Sequence, residues 1–293
     1  MSAQPPTLER LLGTWTIDPV LLCVLGVAAG LYLWGVWRAQ SSWPIWRLVS
    51  FLAGLCVLPL ALLSGIDEYA DELLSVHVIE HLLLILIAPT LLLWGAPVRL
   101  ALKAARPAWR RALAVVLRSR PVRLLTRPAC GFVLFTLAVL ATHLTGVYEA
   151  ALHDQTLHAL EHAAYFWTGT LFLLPLIAAD PIPRPPGAIA RFSWLMAAMV
   201  VMSIPAGVFL FDEHARYPFY SAPARALHVS ALADQQTAGV LMLVGGGVVM
   251  GVLAIVIAMS AMLAEERRQQ RRDRYADRST DARRLPAREL AGR

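Results

Sequence analysis

Apolar residues occur along the chain in long blocks that short polar or basic stretches separate. Seven blocks reach about 20 residues, the length that a helix needs to cross the hydrocarbon core of a bilayer. They lack the alternation of a barrel strand, and backbone groups in lipid must be paired within their own segment, so each block predicts a membrane helix. The predicted fold is therefore all-α, a bundle of seven transmembrane helices. The segments are 19–37, 48–65, 73–94, 129–148, 157–179, 192–211 and 238–264.

The composition excludes an ordinary soluble protein. Of the 293 residues, 58% are hydrophobic and 16% are charged, against about 25% charged in soluble domains. We divide the chain into an external segment 1–18, a membrane domain 19–264 and a basic tail 265–293. The tail is charged and poor in large apolar residues, which predicts that most of it is disordered.

Basic residues are concentrated in alternate loops. The loops 38–47, 99–127 and 184–191 and the tail hold 23 of the 26 Lys and Arg residues. The positive-inside rule then predicts that the N-terminus is outside and the C-terminus is in the cytoplasm. The loop 98–127 interleaves Arg with apolar residues, which predicts one or two amphipathic helices on the anionic inner leaflet. The net charge of +6 is thus explained by membrane topology, and we predict no nucleic-acid partner.

All eight histidines fall on the predicted outer side, and four of them form two copies of one motif, H-x-x-E-H. The copies are His77-Val-Ile-Glu80-His81 and His158-Ala-Leu-Glu161-His162. In each copy the two histidines project from one helix face, so a pair of imidazoles can bind one metal ion. Ionisable groups at membrane depth should face the bundle interior. We therefore predict a metal or cofactor site; interhelical hydrogen bonding is the structural alternative.

Further residues are predicted to support this site. His143 lies at the same depth and is a possible fifth ligand, whereas Glu80 and Glu161 would orient imidazoles. Asp67 precedes the third predicted helix and would attract a cation, and Asp234 opens the seventh, where it could simply cap that helix. Possible soft ligands for Cu(I) are Met202 and Met242, although methionines in a membrane helix usually serve packing.

Several short blocks, in order, resemble the multi-spanning CtaG-like family of caa3-type cytochrome c oxidase assembly factors. They are Gly65-Ile-Asp67-Glu-Tyr69, the first motif, Leu93-Trp-Gly-Ala-Pro97, Tyr148-Glu-Ala-Ala-Leu152, the second motif and Asp234-Gln-Gln236. The family tends to have Met and Gln inside the first histidine pair, where this chain has Val78 and Glu80. The resemblance implies a helical bundle that supplies copper to a haem-copper oxidase at the outer face of the bacterial membrane.

Together these observations predict a multi-pass assembly factor of the bacterial inner membrane, rather than an enzyme. It would bind copper and pass it to a cytochrome c oxidase subunit, with a periplasmic copper chaperone as a further possible partner. The imidazole ligands suit zinc as well. Two alternatives stay open. One is an intramembrane zinc metallopeptidase, because H-x-x-E-H is also the inverzincin pattern. The other is a b-type haem protein with histidine axial ligands.

Overall fold

A computed structural model describes residues 6–39, 43–183 and 185–290. The chain is 83% helical, and within this described part it has no strand, only an isolated bridge between Trp15 and Ser64. The all-α prediction is therefore confirmed. The helices are α1 (Leu8–Gly13), α2 (Pro19–Ala39), α3 (Ile45–Leu62), α4 (Gly65–Ala70), α5 (Leu74–Leu82), α6 (Ala88–Trp94), α7 (Pro97–Ala104), α8 (Pro107–Leu117), α9 (Arg120–Leu125), α10 (Pro128–Leu144), α11 (Val147–His153), α12 (Gln155–Ile177), α13 (Ala188–Phe211), α14 (Ser221–Ala226) and α15 (Ala231–Leu290).

Five segments of the described chain are long and apolar enough to cross a membrane. They are Pro19–Ala39, Ile45–Leu62, Leu74–Ala104, Ala188–Phe211 and Ala231–Arg267. The helices α10 and α11 meet at an angle of 73° and form a sixth if they are one broken span. The sequence predicted seven. The difference is α12, which has 23 residues but carries the polar second motif in its first half.

The span that carries the first motif changes its helical geometry directly after that motif. A π-helical turn, Leu83–Ile87, joins α5 to α6. Pro89 explains this turn, because proline has no N–H to donate to the carbonyl of Ile85 and its ring would collide with that carbonyl in a regular α-helix. Such π-turns often occur at functional sites.

Two glycines allow α12 to pack closely in the centre of the bundle. A Cβ at Gly169 would overlap the carbonyl of Ile85 in the π-turn, and a Cβ at Gly131 of α10 would come within 2.6 Å of the Leu171 carbonyl of α12. Beside these contacts α13 packs along α15, and α5 packs against α15. The close approach at Gly169 holds α12 beside the span that carries the first motif.

Three short helices, α7 to α9, occupy the basic stretch for which the sequence predicted one or two surface helices. Proline stands at the beginning of each of them, where its missing N–H is not needed. Helices α2, α7 and α8 line an apolar groove of about 840 Å³. None of the residues that line this groove belongs to the two motifs.

The last helix, α15, continues through the tail to Leu290. The sequence predicted that most of this tail is disordered. Arg, Gln, Glu and Ala, which are abundant there, are strong helix formers. The division into an external segment, a membrane domain and a tail remains a prediction, and its ends at residues 1–5 and 291–293 lie outside the described residues.

Candidate metal centre

The first motif lies on α5, whose N-terminus is capped by a side chain from another helix. No side chain of α5 or of the preceding residue caps it. Instead the carboxylate of Asp234 in α15 accepts hydrogen bonds from the backbone N–H groups of Leu74, at 2.7 Å, and Ser75, at 3.4 Å. It also accepts one from the Ser75 hydroxyl. The predicted supporting residue Asp234 therefore fixes the first turn of the helix that carries His77 and His81.

The second motif lies on α12, which has its own local cap. Asp154 accepts hydrogen bonds from the N–H groups of Thr156 and Leu157, at 2.8 and 3.1 Å. This cap starts the helix one turn before His158. The two motif helices thus begin at defined residues, and the histidines of both lie within the first eight residues of their helix.

The four motif histidines converge. The Nε2 atoms of His77 and His81 are 2.8 Å apart. Across the helices, the imidazole centroids of His77 and His158 are 5.3 Å apart, and those of His81 and His162 are 5.7 Å apart. The first pair is fully buried, whereas His158 and His162 are half-buried. The two motifs therefore form a single cluster with one partly accessible side.

Each motif supplies a carboxylate to a histidine of the other motif. Glu80 approaches Nε2 of His162 at 3.4 Å, and Glu161 approaches Nε2 of His81 at 3.9 Å. Both carboxylates are buried. This reciprocal arrangement explains why the same H-x-x-E-H spacing occurs on both helices.

Several buried polar atoms of the cluster lack a hydrogen-bond partner among the described residues. They are both carboxylate oxygens of Glu80 and of Glu161, Nε2 of His158 and of His162, and Nδ1 of His81. A buried carboxylate without a partner is costly, and buried charges are normally paired or coordinate a metal. The chemistry of these donors, imidazole nitrogen and carboxylate oxygen, fits a divalent ion such as copper or zinc.

The donors form two overlapping groups. The four-residue group contains His77, Glu80, His158 and His162, and the three-residue group contains His77, His81 and Glu161. Within each group, one ligand atom from each residue lies within 4.8 Å of all the others. Glu80 and Glu161, predicted to orient imidazoles, are thus close enough to serve as ligands as well.

Buried tyrosines surround the imidazoles, and the sequence did not predict them. The Tyr220 hydroxyl lies 3.2 Å from Nδ1 of His77, 2.7 Å from the Tyr148 hydroxyl and 3.1 Å from the Ala70 carbonyl. If the Tyr220 hydroxyl donates to the Ala70 carbonyl, its oxygen accepts a hydrogen bond from Nδ1–H of His77. Nε2 of His77 then carries no proton, and its lone pair is available to a metal ion. Tyr165 stacks on His81 with 4.1 Å between ring centroids.

Of these tyrosines, only Tyr165 had a usable signal in the sequence. It lies three residues after His162 and hence on the same face of α12. Tyr148 stands in one of the blocks that carry the family resemblance, but nothing there indicated contact with a histidine. Tyr220 reaches the cluster from the loop between α13 and α15, and no local pattern marks such a contact.

His143 is buried beside the cluster but belongs to neither group. Its Nδ1 lies 2.9 Å from the Val139 carbonyl and 3.0 Å from the hydroxyls of Thr142 and Tyr165. Its ring centroid is 6.1 Å from that of His81. The local bonds explain how a buried imidazole is accommodated there, and its role as a fifth ligand remains a prediction.

The two predicted soft ligands, Met202 and Met242, are buried in the main apolar core. Met202 faces α15, because a Cβ at Gly246 would come within 2.8 Å of its methyl group. A role in metal handling remains a prediction.

Acidic residues lie on the approach to the cluster. Asp67 of α4 is half-buried, and burial together with the neighbouring Asp71 raises its pKa to about 6. Asp71 is exposed and interacts electrostatically with His158. Both acidic residues contribute a negative potential at Glu80. Asp67 belongs to neither donor group, and its role in attracting a cation remains a prediction.

The remaining histidines are exposed. His153 pairs with Glu149 at 3.6 Å on the short helix α11. His214 and His228 lie in the loop between α13 and α15. They supply matched controls for the buried cluster.

The cap from Asp234 leads to a stability prediction. Asp234→Ala would leave two backbone N–H groups and the Ser75 hydroxyl without their acceptor. Loss of a helix cap costs about 0.5–2 kcal/mol, and the burial of this one favours the upper end. We expect a lower midpoint of thermal unfolding in detergent. Thr237→Ala on the exposed face of the same helix is the control, and equal midpoints for the two variants would contradict the capping role.

Comparison with known proteins assigns the family. The sequence model of the cytochrome c oxidase caa3 assembly factor family matches residues 30–263. Uncharacterised proteins of Mycobacterium bovis and Mycobacterium tuberculosis are 29% identical to the chain, and one of Mycobacterium leprae is 28% identical. Each alignment covers 94% of this chain but 43% of the relative, so the chain spans less than half the length of these proteins. No solved structure matches. The match over most of the chain shows that it belongs to the cytochrome c oxidase caa3 assembly factor family.

Proposed function

We propose that the protein is a membrane assembly factor that binds copper at the outer face of the inner membrane and delivers it to a subunit of cytochrome c oxidase. The observation that carries this proposal is the buried cluster of four imidazoles and two carboxylates, in which both carboxylates and three of the imidazoles have a polar atom without a hydrogen-bond partner among the described residues. The family description supplies the oxidase as the destination. Binding and release of the ion need no catalysed reaction, so the proposed role is not enzymatic.

Copper is the metal that best fits both the imidazole and carboxylate donors of the cluster and the oxidase named in the family description. Cu²⁺ has the highest affinity among divalent first-row ions for a given set of nitrogen and oxygen ligands. No cysteine belongs to the cluster: Cys23 and Cys56 are exposed, and Cys130 is half-buried outside it. Zinc uses the same ligand types, and metal analysis of the purified protein distinguishes the two.

The two alternatives are less well supported. A metallopeptidase needs one H-x-x-E-H motif and a separate third ligand, whereas here two copies face one another. A b-type haem would need a flat space between axial histidines. Across the two helices the rings of His77 and His158 instead stack on one another, with centroids 5.3 Å apart, which leaves no such space between them. The family description favours assembly over both.

We further propose seven spans, with α12 added to the six candidates, an external N-terminus and a cytoplasmic tail. The support is the distribution of basic residues, 23 of 26 in one set of loops and the tail. Reporter fusions should show cytoplasmic activity at Arg120 and Arg272 and external activity at His153 and Ala222. External labelling at Arg120 would contradict this topology and would place the histidine cluster on the cytoplasmic side.

Conservative changes of the two glutamates separate copper delivery from peptide hydrolysis. A peptidase uses the glutamate as a general base, so Glu→Gln would abolish turnover with the metal still bound. In a delivery site, the glutamine oxygen can still accept a hydrogen bond from an imidazole or contact the ion. We expect Glu80→Gln and Glu161→Gln each to retain copper binding and oxidase assembly, with affinity lowered by less than about 10-fold.

The measurement is oxidase activity and copper content in membranes that express each variant at a matched protein level. The unsubstituted protein and Glu149→Gln, which changes a partner of the exposed His153, are the controls. Loss of oxidase activity with normal copper content in either buried variant would contradict delivery and favour hydrolysis.

A further inference from the structure

The arrangement of the donors at the metal centre indicates more than one position for an ion. Two ligands of one Cu²⁺ or Zn²⁺ ion, each about 2.0–2.2 Å from it, lie at most about 4.4 Å apart. The donor atoms of the six side chains do not all lie within even 4.8 Å of one another but fall into the four-residue group and the three-residue group. A single ion therefore cannot use all six without rearrangement of the side chains.

His77 belongs to both groups. Its Nδ1 is hydrogen-bonded to Tyr220, at 3.2 Å, while its Nε2 lies 2.8 Å from Nε2 of His81. One nitrogen lone pair binds one ion. As long as Nδ1 stays hydrogen-bonded to Tyr220, only Nε2 of His77 can bind an ion. His77 can therefore bind an ion at one group or at the other, but not at both at the same time.

The two groups also differ in accessibility. The four-residue group includes His158 and His162, which are half-buried, and it lies next to Asp71, which interacts electrostatically with His158. Every member of the three-residue group is buried. An ion from outside thus meets the four-residue group first.

We propose that the centre provides two successive positions for one copper ion, an accessible position at the four-residue group and a deeper one at the three-residue group, with His77 as the common ligand. The ion exchanges the ligands Glu80, His158 and His162 for His81 and Glu161 while it stays bound to His77. The ion keeps its charge, and each position offers at least one carboxylate. This inference rests on the proposed copper binding and specifies its mechanism.

The test uses Cu²⁺ added to the purified full-length protein in detergent, with metal analysis and electron paramagnetic resonance. One variant, His158→Ala/His162→Ala, removes two ligands from the four-residue group. A second variant, His81→Ala/Glu161→Ala, removes the rest of the three-residue group. We expect one copper ion per chain in the unsubstituted protein and in each variant. Nitrogen hyperfine structure should indicate two imidazoles in the first variant and three in the second.

A combined variant that lacks all four of these side chains should bind no copper. Gel filtration verifies folding, and His→Gln versions that preserve side-chain volume replace any alanine variant that aggregates. If either double variant folded but bound no copper, the proposal of two positions would be wrong, and all six side chains would form one site. Two copper ions per unsubstituted chain would contradict the proposal that one ion uses the two positions in turn. No copper in the unsubstituted protein would instead refute the proposed function itself.

Discussion

Replacement of His77 by alanine is expected to cause the largest loss of copper binding of any single change in the protein. His77 contributes to both donor groups, whereas His81, His158 and His162 each contribute to one. Loss of a residue that merely orients a ligand typically lowers metal affinity about 10- to 100-fold, and loss of a shared ligand should exceed that. We expect oxidase activity in membranes under limiting copper to fall with copper affinity, while the protein still inserts.

His153→Ala is the matched control, because His153 is exposed, pairs with Glu149 and belongs to neither donor group. It should leave copper affinity and oxidase activity unchanged. His158→Ala should give an intermediate loss, since the three-residue group stays complete. If His77→Ala retained full oxidase assembly under limiting copper, the cluster would serve interhelical hydrogen bonding rather than metal binding.

Replacement of Gly169 by alanine is expected to destabilise the bundle strongly. The new Cβ would overlap the backbone carbonyl of Ile85 in the π-turn. A backbone atom cannot rotate away, so α12 and the span with the first motif would have to separate. Overpacking in a protein core typically costs about 1–3 kcal/mol, and sometimes more. We expect the free energy of unfolding to fall by an amount at or above the upper end of this range. Copper binding should weaken as well, because the same separation increases the distance between His162 and His81.

Gly207→Ala in α13 is the control for a glycine within a membrane helix, because no atom lies within 4 Å of a Cβ built there. Alanine has the higher helix propensity by about 1 kcal/mol, so this variant should be as stable as the unsubstituted protein or more so. The measurements are thermal unfolding in detergent and protein level in membranes. Equal stability of the two variants would show that the helices do not depend on the close approach at Gly169.

The sequence predicted the helical class and most helix positions, because apolar blocks of about 20 residues have a direct physical meaning in lipid. It predicted less well where tertiary contacts decide the local structure. The π-turn at Leu83–Ile87 depends on the missing N–H of Pro89, and the 73° bend between α10 and α11 divides a segment that looks continuous as a pattern. Helix α12 is not among the candidate spans although it has 23 residues, because the polar second motif in its first half lowers its mean hydropathy.

At the metal centre, the repeated spacing of the two motifs was sufficient to predict that His77, His81, His158 and His162 would meet. Their function as metal ligands remains a prediction. The repeated motif could not indicate that each glutamate faces a histidine of the other helix, since that depends on the register between α5 and α12. The contacts of Tyr220 and Asp234 with this region join residues about 150 positions apart in sequence, and only the tertiary fold brings them together.

The central claim is that the two motifs together bind copper. Metal analysis of the purified full-length protein, next to a variant with His77, His81, His158 and His162 all changed to alanine, tests it most directly. Both proteins are exposed to Cu²⁺, freed of excess metal by gel filtration and compared at equal concentration. We predict one copper ion per chain in the unsubstituted protein and none in the folded quadruple variant. Equal copper content in the two proteins, or none in either, would contradict the claim.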